Sequence, residues 1–440
     1  MIPYLHAGLE IVEQYIIGFV LIPILWGVGI FFSFYLGFPQ IRHFGQAINI
    51  LLGKECPEGA EGDTSPFQAL AASLGGSIGT GSIAGVALAI HLGGPSSLFW
   101  MLMTGFWGMA IKFVEVMLSH KYREKAADGT MSGGPMYYMR DQLGLPKLGN
   151  FFAGIIILAA FAAGSLPQTN SIANAAYFSF GITEWITGVV VCAGLTFVIV
   201  GGIKRIGQVA EMLMPLMALI YVMGATVVIA SYPQNIIPAF ASIFSDVFSG
   251  TAAVGGFLGT GLLLAITQGI SRGFYSNEAG SGAAGITHAS SQIKDPVQEG
   301  IVTILEPFIS TALICMLTGM SILVGGAWTE KVPNKFDHVD ILVVEGHYDA
   351  RKPEDIQQLA AYCSTTSAPG FTGMLEVEQG VIQNPNITLL NSQSIAEDVR
   401  VYQSKQPYTG TVVVEQGRVK AAFQDITFQG KSLLNGINLV

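Results

Sequence analysis

Two seven-residue stretches hold most of the chemistry this sequence offers. Gly75-Gly76-Ser77-Ile78-Gly79-Thr80-Gly81 and Gly255-Gly256-Phe257-Leu258-Gly259-Thr260-Gly261 both read GGxxGTG. Glycine inside a helix costs roughly 1 kcal/mol relative to alanine, and each stretch has four in seven residues. Both lie in runs free of Asp, Glu, Lys and Arg, at 64–111 and 247–271. In a bilayer the freed N–H and C=O groups cannot turn to lipid, so a break there must line protein or a water-filled cavity. Half-helix N-termini then offer N–H groups to a carboxylate, and unwound carbonyls offer oxygen to a hard cation. Glycines at this density also let helices pack closely. Two copies, 180 residues apart, favour broken helices in matching halves, the best sequence pointer to a transporter's binding site.

Polar side chains inside the apolar runs are the next candidates. Gln168, Thr169, Asn170 and Asn174 follow Pro167, and they serve either as helix–helix contacts or as ligand contacts. Lys112 and Glu115 lie further along the same chain of apolar segments, and Glu299 and Glu306 begin another. An ionisable group at bilayer depth costs at least ~2.5–3.5 kcal/mol, so each needs a partner. Three residues apart on a helix, Glu115 and Lys112 read as a local pair near a membrane surface.

The elements that must position these groups are membrane spans. A helix needs about 20 apolar residues to cross the hydrocarbon core. The charge-free runs give eight, near 14–36, 66–91, 96–119, 151–179, 185–202, 209–231, 250–270 and 300–325, with a turn at Gly93-Gly94-Pro95. Arg42 and Lys54, then Lys121 to Lys147, then Lys204 and Arg205, then Arg272 and Lys294, fall in alternate loops. The remaining short loops and the first 13 residues have no Lys or Arg. Cationic loops stay in the cytoplasm, so the N-terminus and the segment after Trp328 are expected outside.

The composition agrees. The 440 residues are 51% hydrophobic and only 12% charged, against about 25% charged in soluble domains. A net charge of −9 gives nucleic-acid binding no support. The four cysteines form no CxxC, so neither a disulfide framework nor a metal site is expected. From Thr329 the texture changes: nine of the 21 Lys and Arg lie in 329–440. Short β-like runs occur at Ile341–Val344, Met374–Val377, Ile387–Leu390 and Thr411–Val414, with a helical pattern from Pro353 to Cys363. A small extracytoplasmic α/β segment is expected there. Gly75 to Gly79 also fits GxSxG, but that nucleophile motif needs a soluble strand-to-helix turn.

The sequence resembles the alanine or glycine:cation symporter family (sodium:alanine symporters). The resemblance is carried by Gly79-Thr80-Gly81-Ser82-Ile83-Ala84-Gly85-Val86, by Gly133-Gly134-Pro135-Met136-Tyr137-Tyr138, by Arg272-Gly273-Phe274-Tyr275-Ser276-Asn277-Glu278-Ala279-Gly280 and by Gln168-Thr169-Asn170-Ser171. It implies an all-α polytopic membrane protein with leucine-transporter-type inverted repeats of five helices, preceded by one extra helix. It implies sodium-driven import of alanine, glycine or a similar small amino acid through the bacterial inner membrane, with no cofactor beyond Na⁺ as coupling ion. The substrate carboxylate is then expected at Gly79, Thr80 and Gly81, facing Gln168 and Asn170, and the amino end at the second break, from Gly256 through Thr260 to Gly261. Similarity also assigns the backbone oxygens of Gly75 and Ile78 to one sodium site and Ser77 and Ser82 to another. Two departures weaken a cation site: Ser82 stands where the family usually has Asn, and Ser310 where it has Asp. The family continues with three further spans, so a chain truncated in its second repeat is expected.

Domains are therefore expected at 1–328, the transporter, and 329–440, the soluble segment. The competing readings are a membrane-anchored receptor or sensor and a truncated, inactive transporter. Among these readings none is an enzyme, because no His, Asp or Cys constellation falls in the spans.

Overall fold

The computed structural model describes residues 20–54, 61–245, 247–248, 250–251, 260–336, 341–349, 370–391, 394–404, 406–420 and 425–433, with Ile16, Gly18, Lys352, Glu354, Asp355, Gln358 and Leu359. The first part is a helical bundle. Helix α1 is Ile22–Tyr35. Helix α2, Pro66–Ser77, starts on a capping box in which Ser65 Oγ accepts the Gln68 N–H and Gln68 Oε1 accepts the Ser65 N–H. It stops where Gly75 and Gly76 weaken it, and Ile78 is extended. Helix α3, Ala84–Gly93, resumes the direction after a turn, so the expected span 66–91 is two half-helices. Gly94, at φ +71°, and Pro95 then turn the chain into α4, Ser97–Lys121.

Helices α5, Pro146–Ala159, and α6, Leu166–Phe180, are joined by a π-helical stretch, Ala160–Ser165. Pro167 has no N–H for the helical ladder, which suits a widened turn just before it. Helix α7 is Glu184–Ile199, α8 is Gly202–Ser231 and α9 is Ile236–Ser245. Helix α7 buries no side chain, and α8 exposes Leu216, Leu219 and Ile220. Helix α10 is Leu262–Asn277 and α11 is Pro296–Gly325, the latter with a π-helical segment, Phe308–Cys315, following Pro307. Among the described residues four helical stretches are long and apolar enough to cross a membrane, at Ser97–Lys121, Pro146–Tyr177, Gly202–Ser231 and Pro296–Gly325.

One expected span is displaced. The seventh was placed at 250–270, but Gly250–Thr251 pairs with Thr260–Gly261 as a short antiparallel ladder, and the helix then runs on to Asn277. Glycines at both ends of the segment favour an extended approach over a helical one. Most of the second GGxxGTG lies in 252–259, outside the described residues.

Helix α4 is the centre of the bundle. Helix α10 lies against it through Gly269 and Gly273, a GxxxG spacing. A Cβ on Gly269 would meet Ser97 O and one on Gly273 would lie 2.8 Å from Thr104 Cβ. Helix α1 approaches α4 the same way, through Gly29 beside Trp107, and Trp26 Nε1 donates to Thr104 Oγ1 at 3.1 Å. At one end, Arg123 donates to the carbonyls of Ala289, Ser291, Ile293 and Glu61. Burial pulls its guanidinium below the ordinary arginine range, with Glu299, Glu61 and Asp63 opposing that shift.

The second part is built of strands: β1 Lys331–Phe336, β2 Ile341–Glu345, β3 Gly373–Glu378, β4 Ile387–Asn391, β5 Glu397–Gln403, β6 Gly410–Glu415 and β7 Ile426–Leu433. Strand β6 pairs with β3, and β7 lies between β5 and β1, all antiparallel; β2 and β4 form a second sheet. Leu375, Val377, Val412, Val414 and Phe428 point into one core made of strand residues alone. The helical pattern expected at Pro353–Cys363 falls largely outside the described residues; Glu354, Asp355, Gln358 and Leu359, which are described, are helical, and the rest of what is described of this segment is predominantly strand. Alternating apolar and polar residues in β3 and β6 account for that outcome.

The close contact at Gly269 is testable. Gly269→Ala should lower the thermal midpoint in detergent, by a destabilisation of roughly 1–3 kcal/mol from overpacking against Ser97. Gly224→Ala, where nothing lies within 4 Å, should instead be neutral or stabilising by up to about 1 kcal/mol.

Candidate functional site

The break between α2 and α3 is held open by side chains from three other elements. Gly85 N donates to Thr80 O at 2.7 Å, and Ile83 N to Gly79 O at 3.2 Å, which closes a compact turn. Ser82 Oγ lies 2.9 Å from Ser77 O and 2.8 Å from Ser276 Oγ at the end of α10. Thr318 Oγ1, on α11, lies 3.0 Å from Ser82 O and 2.8 Å from Ile314 O. The Tyr221 hydroxyl, on α8, is 2.5 Å from Thr318 Oγ1. Backbone oxygens that a helix would have used are thus taken up by hydroxyls, as a break in a low-dielectric interior requires.

Beside the break lies a cavity of about 1590 Å³. Gly75, Ile78, Gly79 and Thr80 line it, with Gln168 and Asn174 from α6, Tyr221 from α8, and Ile314 from α11. Lys335, Arg400 and Lys431 of the strands contribute to its wall. Small-molecule pockets are typically ~300–1,000 Å³, so this cavity is larger than one small ligand needs. Gln168 lays its amide over Gly79: a Cβ there would lie 3.3 Å from Gln168 Cδ and Nε2. A side chain at this position would push the Gln168 amide aside by a few tenths of an ångström.

The other expected site residues divide. Gly81 does not line the cavity; it is buried, and a Cβ would lie 3.1 Å from Ser276 Cα and Tyr275 O, so its role in the structure is close approach to α10. Ser77 and Ser82 are buried and hydrogen-bonded within the protein. Asn170 is exposed, about 200° round the helix from Gln168, and accepts from Asn174 at 3.3 Å; Asn174, not Asn170, lines the cavity. Thr260 is in the short ladder with Thr251 and is not in the lining. Gly256 lies outside the described residues.

Below the break is a layer of charge. Lys112 Nζ is 2.9 Å from Glu306 Oε1, and both side chains are fully buried. The same oxygen accepts from Ser77 Oγ at 2.7 Å. The local pairing of Lys112 with Glu115 does not form. Glu115 instead accepts the Gly280 N–H at 2.9 Å and the Gly285 N–H at 3.3 Å. Glu278 ends α10 in the left-handed conformation, at φ +52°, and a Cβ on Gly76 would lie 3.8 Å from its Oε2. Further along, His288 Nδ1 and Glu299 Oε1 are 2.5 Å apart and fully buried. Among the described residues no group of His, Cys, Asp and Glu has the arrangement of a metal cluster. The sequence signals for Glu306 and Tyr221 were single polar residues in apolar runs; nothing in their spacing named their partners.

A bundle of apolar helices, one of them broken beside a cavity and pinned by buried polar groups, has the character of a membrane transporter. Residues 3–343 match the sodium:alanine symporter family, and the chain belongs to it. The sodium/alanine symporter AgcS of Methanococcus maripaludis is 40% identical over 346 residues, covering 78% of this chain and 75% of that protein. An uncharacterized transporter of Haemophilus influenzae is 37% identical, over 74% of this chain and 71% of its own. The probable sodium/glutamine symporter GlnT of Bacillus subtilis is 34% identical, over 70% and 63%. The protein is therefore a polytopic transporter and not an enzyme, and strands β3 to β7 lie beyond the family match.

Removing one partner of a buried pair strands the other charge. Lys112→Met in sodium-free buffer should destabilise the protein by roughly 3–5 kcal/mol, and adding Glu306→Gln should recover much of the loss. Thermal unfolding of the two variants beside the wild type measures both.

Proposed function

We propose that this protein imports alanine, glycine or a similarly small amino acid, driven by Na⁺, through alternating access in a leucine-transporter-type inverted repeat. The observation that carries the reading is the break at Ile78 to Ile83, which opens on the cavity beside Gln168. The N–H groups of Gly79 and Thr80 precede the first turn of α3, where a half-helix attracts an anion, and we assign the substrate carboxylate to them; Gly81, buried against α10, is left out of that assignment. Gln168 faces the same point and orients the ligand. Gly75 and Ile78 bring their backbone to the cavity at the C-terminal end of α2, where carbonyls suit a hard cation such as Na⁺. The second cation site at Ser77 and Ser82 is weaker, since both hydroxyls have protein partners. We assign Gly256 and Thr260 to the substrate's amino end on the resemblance alone.

Relatives named as symporters of sodium with alanine or glutamine favour sodium-coupled amino-acid transport over a receptor reading. The alternation of Lys- and Arg-bearing loops supports an N-terminus and a strand-rich segment on the outer side of a bacterial inner membrane.

Proteoliposomes holding the 440-residue chain should take up radiolabelled alanine under an inward Na⁺ gradient and not with choline. Glycine should compete and leucine should not. Failure of every small amino acid would refute the reading. Gln168→Ala should raise KM by about tenfold, the worth of one lost polar contact of ~1.4 kcal/mol.

A further inference from the structure

The pair formed by Lys112 and Glu306 has no place in the transport scheme above, yet it touches the break. Glu306 Oε1 holds Lys112 Nζ at 2.9 Å and Ser77 Oγ at 2.7 Å. Ser77 is the last residue of α2, and it is one of the two hydroxyls that the family resemblance gives to sodium. A monovalent cation therefore already stands one carboxylate oxygen away from that hydroxyl, attached covalently to α4. The second oxygen, Glu306 Oε2, is buried and has no hydrogen-bond partner among the described residues. Glu115 and Glu278 are the other carboxylates within electrostatic reach of the ammonium; Glu115 is served by two backbone N–H groups. His288, paired with Glu299, is also within electrostatic reach of Glu306. Without Lys112, Glu306 would be left as a buried carboxylate with no cationic partner on α4.

We propose that Lys112 is a tethered cation, which fills one of the cation positions at the break and so reduces the number of sodium ions the protein binds. An ammonium and a sodium ion carry the same charge and both seek hard oxygen, so only one of them can hold Glu306 against Ser77. Ser82 and Ser310, which offer shorter and neutral donors, fit a site no longer tuned for a mobile ion. The link to transport rests on the sodium-coupled reading, but the test does not.

The test is sodium binding to the purified full-length chain. Radioactive ²²Na⁺ binding and thermal midpoints in NaCl and choline chloride are compared for wild type, Lys112→Met, Lys112→Arg and Lys112→Met with Glu306→Gln. The expected result is that Lys112→Met binds additional sodium per chain and is stabilised by NaCl more than the wild type. Lys112→Arg, which keeps the charge, should behave as wild type, and the double variant should lose the gain. A merely structural lysine would not move sodium stoichiometry. Unchanged stoichiometry in Lys112→Met overturns the proposal. So does a Lys112→Met protein that folds in neither salt, because sodium should substitute for the ammonium. Absence of alanine uptake by the wild type would remove the transport reading and leave this comparison standing.

Discussion

The helical part of the molecule depends on how the backbone is satisfied where α2 stops. A helix that ends in an apolar interior leaves carbonyls and N–H groups without partners, and lipid supplies none. Here the deficit is met from across the bundle. Ser82, Ser276, Thr318 and Tyr221 link the break to α10, α11 and α8. Each is a hydroxyl, able both to donate and to accept: Ser82 and Thr318 reach backbone oxygens, and Ser276 and Tyr221 hold those two side chains in turn. A change at Ser77 would be felt at Glu306 and Lys112 on one side, and at Ser82 on the other.

Close packing makes that arrangement possible. Gly269 and Gly273 bring α10 against α4, and Gly105 lies beside Thr311 of α11. With ordinary side chains at these positions, Ser276 would not reach Ser82 nor Glu306 reach Lys112. Glycine thus has two separate roles in this chain. At Gly75 and Gly76 it weakens a helix; at Gly269 and Gly273 it lets two helices touch.

Much of this was legible in the sequence, for physical reasons. Charge-free runs mark spans because hydrocarbon tolerates few ionised groups, and the first GGxxGTG marked a break because four glycines cannot sustain a helix. Strand runs such as Met374–Val377 and Thr411–Val414 were legible because a sheet with one buried face imposes alternation. Partner choice was not legible. Lys112 has Glu115 three residues away on its own helix, but its carboxylate comes from 194 residues along the chain. The Gly280 and Gly285 N–H groups compete for Glu115, and that competition exists only after α10 and the turn beyond it have folded onto α4. Asn170 and Asn174 lie one turn apart on the same side of one helix, so nothing in their spacing told which of them reaches the cavity. The ladder at Gly250–Thr251 and Thr260–Gly261 was hidden by the glycine pattern itself, which reads equally as a helix break or as extended chain.

The strand-rich segment has its own core. The clusters around Phe428 and Val344 contain strand-region residues only, and those around Leu74, Val86 and Phe274 contain helix-region residues only. Two sets of apolar residues that never mix are held together internally by separate interactions, so a substitution in one should leave the packing of the other intact. The family match ends at residue 343, just as the second core begins. The residues that pin the break, Ser77, Ser82, Ser276, Glu306 and Thr318, all lie within the family match. The polar links that pin the break are therefore made without the strands, whatever those strands contribute to the wall of the cavity.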